Sequence, residues 1–499
     1  MAHNPPKTKY YRFLEMIPGT LIWATFIGAI VLSFFKPIWA IYFIIAFDLY
    51  WVFRVSYFIF YVALAWRRYK KDVNHDWVAD IKKINDWERI YHLVFLPTYN
   101  EPYEVLDTTF KNLTQSTYPL DKMIVVLAGE ERAKEHFEKV SRQVKEKYGH
   151  KFFKFVITLH PDNVEGEMKA KGANAAYAGR EVKKLIDNEW KIPYQDIIVS
   201  YFDCDTVVHP KYFACLAYKY LTSPNPTRTS YQPAVLYNNN IWDAPIITRV
   251  TAFGTIFWLM TDLLRPERLF TFSSHSMSWQ ALVDVDFWQS DIVTDDSRIF
   301  LQCFMRYDGD YSVTPIYVPV SMDAVLADNY WDNFKNLYKQ QRRWGYGVEH
   351  FPYMVWNFKH KKDKITFGKR FKYLFNITEG MYSWVTAPIL IFILGRLPLW
   401  WVQFGAESTN VLVQNAPFVL EKLMAVAMSG IFISAILSIL LLPPRPKTHS
   451  PLKYLAMFLQ WLLLPITLIV FGSIPAAEAQ TRLMLGKYLG FFVTPKVRK

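Results

Sequence analysis

Ile197-Ile198-Val199-Ser200-Tyr201-Phe202-Asp203-Cys204-Asp205 is the stretch on which the reading of this chain turns. Its first six residues form a short, β-branched and aromatic run with one serine, as expected of a strand buried on both faces. Two carboxylates follow at once, spaced by one residue. Carboxylates leaving the end of a strand can hold Mg²⁺ or Mn²⁺ together with a diphosphate, because hard cations take oxygen ligands and share substrate phosphates. An Asp-x-Asp pair alone occurs by chance in turns, so its weight comes from what surrounds it.

Upstream, His92–Leu96, Met123–Ala128 and Phe152–Leu159 carry the same strand signal. Between them Tyr103–Gln115, Ala133–Lys147 and Lys169–Asn188 show helical spacing. Strands alternating with helices predict right-handed βαβ units and a mostly parallel, mixed α/β sheet. Ligands of such sheets sit beyond the carboxyl ends of the strands. That rule directs attention to the turn Pro97-Thr98-Tyr99-Asn100-Glu101-Pro102 after the first strand, where a helix N-terminus can cradle a nucleotide. It also points to Lys169-Ala170-Lys171-Gly172-Ala173-Asn174, whose lysines open a helix where an anion is welcome, a solvated helix start being the plainer alternative.

Two further segments carry chemistry. Thr294-Asp295-Asp296 opens a helical run, where acidic residues either cap the helix or supply a general base for an attacking hydroxyl. Gln340-Gln341-Arg342-Arg343-Trp344 lies in an amphipathic stretch with Phe334, Leu337, Tyr338 and Val348, suited to a membrane surface. Gln340, Arg343 and Trp344 share one face, so Arg343 can fork onto a diphosphate while Trp344 offers a platform to a sugar ring.

The flanks are apolar. The 499 residues are 52% hydrophobic and 17% aromatic, yet mean hydropathy is only +0.04, as when apolar blocks average against a polar middle. Ile17–Phe35 and Ile38–Ala65 are each long enough to span a bilayer and are parted only by Lys36 and Pro37, which predicts a transmembrane hairpin within residues 1–71 and disfavours a removable signal peptide. Residues 87–330 hold no comparable run and are expected to form a cytosolic α/β domain. Residues 331–372 are expected at the membrane interface, and 373–499 carry the candidate spans Phe371–Leu394, Lys422–Leu442 and Leu455–Phe471. Arg67, Arg68, Lys70 and Lys71, the run from Lys359 to Lys372, and Arg482 to Lys499 give much of the +13 net charge. Beside spans such basic runs mark cytosolic flanks and attract anionic lipid. Five spans would put the basic tail outside, so either the last segment is re-entrant or the charge rule fails. Cys204, Cys215 and Cys303 are too few and scattered for a disulfide framework or zinc cluster, which fits a reducing compartment. No nucleic-acid module is present, so none is expected as a partner.

Together these motifs, in this order over residues 90–350, resemble the membrane-embedded family-2 glycosyltransferases, the group with cellulose, chitin and hyaluronan synthases. The resemblance implies a GT-A fold, a nucleoside-diphosphate sugar (UDP-linked most often), Mg²⁺ or Mn²⁺, and inversion by direct displacement. Asp203-Cys204-Asp205 resembles the family's D-x-D, implying Asp203 and Asp205 as metal ligands. Thr294-Asp295-Asp296 resembles T-E-D with Asp for Glu, implying Asp296 as base beside Asp295. Gln340, Gln341, Arg343 and Trp344 fit Q-Q-x-R-W. The donor site implied comprises Pro97, Thr98, Tyr99, Asn100, Glu101, Lys169, Lys171, Asn174 and Asp203. Glu130 stands where the family has an Asp-Asp-Gly-like pair, and the loop Phe272–Ser278 replaces a glycine-rich acceptor segment. His275 in that loop is either a ligand of acceptor or phosphate or a structural histidine. Asp48 and Arg54 fall inside an apolar block on different helix faces, so they line a polar path or pair with other spans. The function expected is transfer to a glycan or lipid at the plasma membrane, processive or by single addition, with nucleotide-sugar binding without turnover as the competing class.

Overall fold

A computed structural model describes residues 5–403 and 410–494 of the chain; Lys496, Arg498 and Lys499 of the basic tail lie outside them. At its centre is an eight-stranded sheet: β1 (Tyr91–Pro97), β2 (Met123–Glu130), β3 (Lys154–His160), β4 (Ile197–Tyr201), β5 (Val207–Val208), β6 (Thr229–Leu236), β7 (His275–Ser278) and β8 (Ser312–Ser321). Their order is β3-β2-β1-β4-β7-β6-β8-β5. The first four run parallel, as their continuous apolar cores lead one to expect. Beyond β4 the sheet turns mixed: β7 is antiparallel to both β4 and β6, β8 is parallel to β6, and β5 is antiparallel to β8.

Helices Tyr103–Leu113, Lys134–Tyr148 and Lys171–Leu185 cover the parallel half. The last starts two residues later than the spacing suggested, which leaves Lys169 in the preceding loop. Phe110, Phe137, Val144 and Val182 are among the apolar side chains these helices bury against the strands. Gly129 near the end of β2 is fixed by this packing, since a Cβ there would meet the Phe137 ring at 2.3 Å.

Among the described residues five helices are long and apolar enough to cross a membrane, or six if one bent pair counts as a span. Lys9–Phe35 and Pro37–Asn74 are the first two of them, in contact with each other and parted only by Lys36. Phe367–Phe392 continues into Leu394–Val402 with a 42° bend, at a turn where Gly395 has no room for a side chain beside Leu390 O. Val411–Leu440 starts well before the segment read from sequence, and Lys453–Met484 is interrupted by 3₁₀ and π turns at Gln460–Leu463 and Leu468–Ser473. One of the five corrects the sequence reading: Ile246–Leu263 lies in the stretch thought free of apolar runs. Threonines, Arg249 and Asp262 dilute its hydropathy, and two-thirds of it is buried, packed against β6 and Pro37–Asn74. Arg54 pairs with Glu379 of Phe367–Phe392 at 2.9 Å, so its partner is on another helix, as one of the two readings required. Glu379 also accepts from Ser383 at 2.9 Å.

Candidate functional site

Four loops meet beyond the carboxyl ends of β1, β2 and β4. The centre is Lys171, in the first turn of Lys171–Leu185. Its Nζ donates to Asp203 Oδ1 at 2.6 Å and to both carboxylate oxygens of Asp296 at 2.9 and 3.1 Å. The ammonium also sits 4.4 Å from the centre of the Tyr201 ring. Asp203 comes from the β4 end and Asp296 from the start of helix Asp295–Arg306, so one lysine ties together residues far apart in sequence. Burial works against the charge on Lys171, but Asp203, Asp296 and Asp295 outweigh it and hold the ammonium well above the usual lysine range.

The two adjacent carboxylates play different parts. Asp296 reaches the ion pair, whereas Asp295 points inward and accepts a 2.5 Å hydrogen bond from the buried Tyr201 hydroxyl. Burial, then the charge of Asp296, push the Asp295 carboxyl up to about 7, with Lys171 and the Tyr201 bond acting the other way. Gly172 makes room for it: a Cβ there would come within 2.8 Å of Asp295 Cβ.

Ser273 Oγ donates to the second oxygen of Asp203 at 2.8 Å, a contact that no motif announced. His275, two residues on, is fully buried in β7; its Nδ1 donates to Phe272 O at 3.0 Å, and burial holds its pKa down to about 4. Its Nε2 is buried without a hydrogen-bond partner among the described residues.

Asp205 is fully buried and accepts from the Asp323 backbone N–H at 2.9 Å. Asn239 bridges the same pair, donating to Asp205 O at 3.1 Å and Asp323 Oδ1 at 3.0 Å. Asp323 in turn lines a cleft with Gln340, Gln341, Trp344, Tyr237 and Thr251. The Asp-x-Asp turn therefore faces Lys171 through its first carboxylate and the Asp323 backbone through its second. Trp344 packs on Tyr237 with ring centres 5.7 Å apart. The Arg343 guanidinium lies over the Phe491 ring at 4.6 Å. Phe491 shares an apolar cluster with Val293 and Met168, which precede Thr294 and Lys171.

At the nucleotide end, Thr98 N donates to Ala128 O at 2.7 Å, joining the Pro97–Glu101 turn to the end of β2. Tyr99 N donates to Glu101 Oε2 at 2.7 Å, and Asn100 is exposed. Arg132 makes a forked pair with buried Glu130 at 2.6 and 3.1 Å, and its guanidinium stacks 3.9 Å over the Tyr99 ring. Two further expected donor residues, from the Lys169–Asn174 segment, also stay outside the ion pair. Lys169, in its loop, turns to Asp162 at 2.7 Å. Asn174 is buried and donates its amide to Ala128 O at 2.8 Å, anchoring the helix to β2. Among the described residues no cluster of three His, Cys, Asp or Glu side chains could hold a metal by itself. Asp203 and Asp205, the pair expected to hold a hard cation, are oxygen ligands whose carboxylates turn to different partners, Asp203 to Lys171 and Ser273 and buried Asp205 to the Asp323 N–H.

No curated protein matches the sequence. Among solved structures, a mannosyltransferase of Pyrobaculum calidifontis in complex with GDP-Man and Mn²⁺ is 16% identical, covering 85% of this chain and 99% of its own with a TM-score of 0.38. TarS 1-349 of S. aureus with UDP-GlcNAc is 11% identical, covering 70% of this chain and 90% of its own with a TM-score of 0.36. Residues 198–474, more than half of the sequence, match the family model for glycosyl transferase family group 2, and the chain belongs to that family of glycosyltransferases.

Proposed function

We propose that the chain transfers a sugar from a nucleoside diphosphate to a hydroxyl of a glycan or lipid at a membrane, with inversion at the anomeric carbon. The observation that supports this most is the meeting of Asp203 and Asp296 on the Lys171 ammonium. In this reading residues 87–330 are the transferase unit, with the Tyr330–Gly345 helix closing it toward the apolar helices. The Pro97–Glu101 turn and Glu130 hold the nucleoside, and Lys171 and Arg343 take the diphosphate. Asp203 and Asp205 would hold Mg²⁺ or Mn²⁺, which supplies charge for the departing diphosphate.

Asp296 is the general base. Its carboxylate takes the proton of the acceptor hydroxyl, whose oxygen bonds to the anomeric carbon as the bond from that carbon to the phosphate oxygen breaks. The electron pair leaves on the nucleoside diphosphate, and Lys171, already charged, neutralises part of it. Asp295, buried and turned to Tyr201, fixes the Asp296 backbone rather than exchanging protons with substrate. Gln340, Gln341 and Trp344 are assigned to the acceptor side, where the Trp344 ring, packed on Tyr237 at 5.7 Å, offers a platform for a sugar.

A panel of UDP- and GDP-linked sugars with purified protein and Mg²⁺ or Mn²⁺ tests the reading. Nucleotide release is expected, and the product mass separates chain growth from one sugar per lipid. Asp205→Ala and Asp296→Asn should each abolish release. Binding of donor without release in wild type, across the panel, would leave a nucleotide-sugar-binding membrane protein instead.

A further inference from the structure

The base Asp296 sits on a turn whose own support comes from outside the pocket. Thr294 precedes the helix Asp295–Arg306 and has no side-chain cap of its own. Glu349 holds this residue from outside: its Oε1 accepts from Thr294 N at 3.1 Å and from Thr294 Oγ1 at 2.6 Å. Glu349 lies in the 3₁₀ turn Tyr346–Glu349, directly after the helix that carries Gln340, Arg343 and Trp344.

A second strand of contacts runs parallel to the first. The Arg298 side chain, fully buried one turn into the Asp295–Arg306 helix, donates through Nε to His350 Nδ1 at 3.2 Å. His350 therefore carries its proton on Nε2 and donates it to Ser297 Oγ at 2.7 Å. Arg298 also stacks on Tyr353 at 3.9 Å and reaches Gln289 Oε1 at 3.0 Å. A buried cation and a carboxylate thus hold the same two segments together. Such a group is costly unless every member is satisfied, so its geometry is tightly set.

We propose that Glu349 is a positioning residue for the transfer reaction: it clamps the Thr294-Asp295-Asp296 turn to the helix bearing Arg343 and Trp344, with Arg298 and His350 as the clamp's second arm. The base and the diphosphate-side helix then move as one body. The proposal rests on Asp296 being the base, as set out above.

The test uses the full chain in detergent or nanodiscs, comparing Glu349→Ala and Glu349→Gln. Glutamine still offers an oxygen to Thr294. Glu349→Ala is expected to lower kcat about a hundredfold while donor KM moves by no more than about threefold, the pattern of a misplaced base with intact donor binding. UDP, used as the probe, should bind Glu349→Ala like wild type, and Glu349→Gln should recover most of kcat. An unchanged kcat, a loss of kcat that merely follows loss of UDP binding, or a glutamine variant no better than alanine would each overturn the proposal. Should Glu349→Ala fail to fold, Thr294→Val removes only the hydroxyl bond and gives the same readout: lower kcat at constant KM supports the clamp, and unchanged kcat overturns it. Amide hydrogen exchange over residues 294–298 should rise in Glu349→Ala whether or not wild type turns over. Absence of transfer in wild type would count against the proposed function, whereas unchanged exchange would count against the clamp.

Discussion

One lysine carries more of the site's electrostatics than any other side chain. Lys171 faces Asp203 and Asp296 directly, with Asp295 close behind. Replacing it by methionine leaves carboxylates facing one another without a cation. Lys171→Met is expected to weaken binding of a nucleoside diphosphate by at least about tenfold, measured by calorimetry, since charge-assisted hydrogen bonds contribute about 1.5–3 kcal/mol. The neighbouring Asp295 makes a separate, pH-dependent prediction. Its carboxyl titrates higher in the folded chain than in the unfolded one, so the folded chain holds an extra proton between the ordinary carboxylate range and about pH 7. The stability this contributes is present at low pH and is lost as pH rises through that window. Thermal unfolding of Asp295→Asn should lack this component and show a flatter dependence there. Asp203, Lys171 and Asp296 were all legible as candidates because each stands at a strand end or helix start. Tyr201, Ser273 and Glu349 were not, since only the folded sheet brings them to these carboxylates, and Lys169 was misplaced because spacing alone does not fix a helix's first residue.

Elements differ in how plainly the sequence declares them. β1 to β4 are mostly apolar runs, broken inside only by residues such as Thr158 and Ser200, and could be read directly. β6 and β8 could not: Gln232 and Pro233 interrupt one, Pro315 and Pro319 the other, and a register shift sits between Pro233 and Val235. β7 is built of His275, Ser276, Met277 and Ser278, polar residues that hide the strand pattern; inside the sheet the Ser276 hydroxyl pairs with Ser200 and Tyr212. The helix of Arg343 and Trp344 was expected from its amphipathic spacing, but its tight seat was not. Gly345 at its end faces Ala476, where a Cβ would stand 2.8 Å from Ala476 Cα. Gly345→Ala must therefore push the helix from Ile474–Met484, and a loss of about 1–3 kcal/mol is expected in thermal unfolding. Gly368→Ala, where the side chain would enter open space, serves as the control.

At the scale of the whole molecule, the apolar helices and the sheet are stitched by contacts between distant segments. Arg12 donates to Leu483 O and Met484 O, so the first helix closes the end of the last. Trp242 Nε1 donates to Pro443 O and Arg249 to Gln460 Oε1, fastening the segment after β6 to the two C-terminal helices. The Arg54–Glu379 pair does the same between Pro37–Asn74 and Phe367–Phe392. A double-mutant cycle on Arg54→Met and Glu379→Gln should give a coupling of about 0.5–3 kcal/mol in unfolding, with either single change costing more than half of the double. That same pair has a consequence for how the protein is made. Synthesis delivers the arginine with the first hairpin and its glutamate only after the entire sheet has emerged. A nascent chain halted before residue 379 should thus extract from membranes at alkaline pH more readily than one halted beyond residue 392, its guanidinium left waiting for a counter-ion not yet translated.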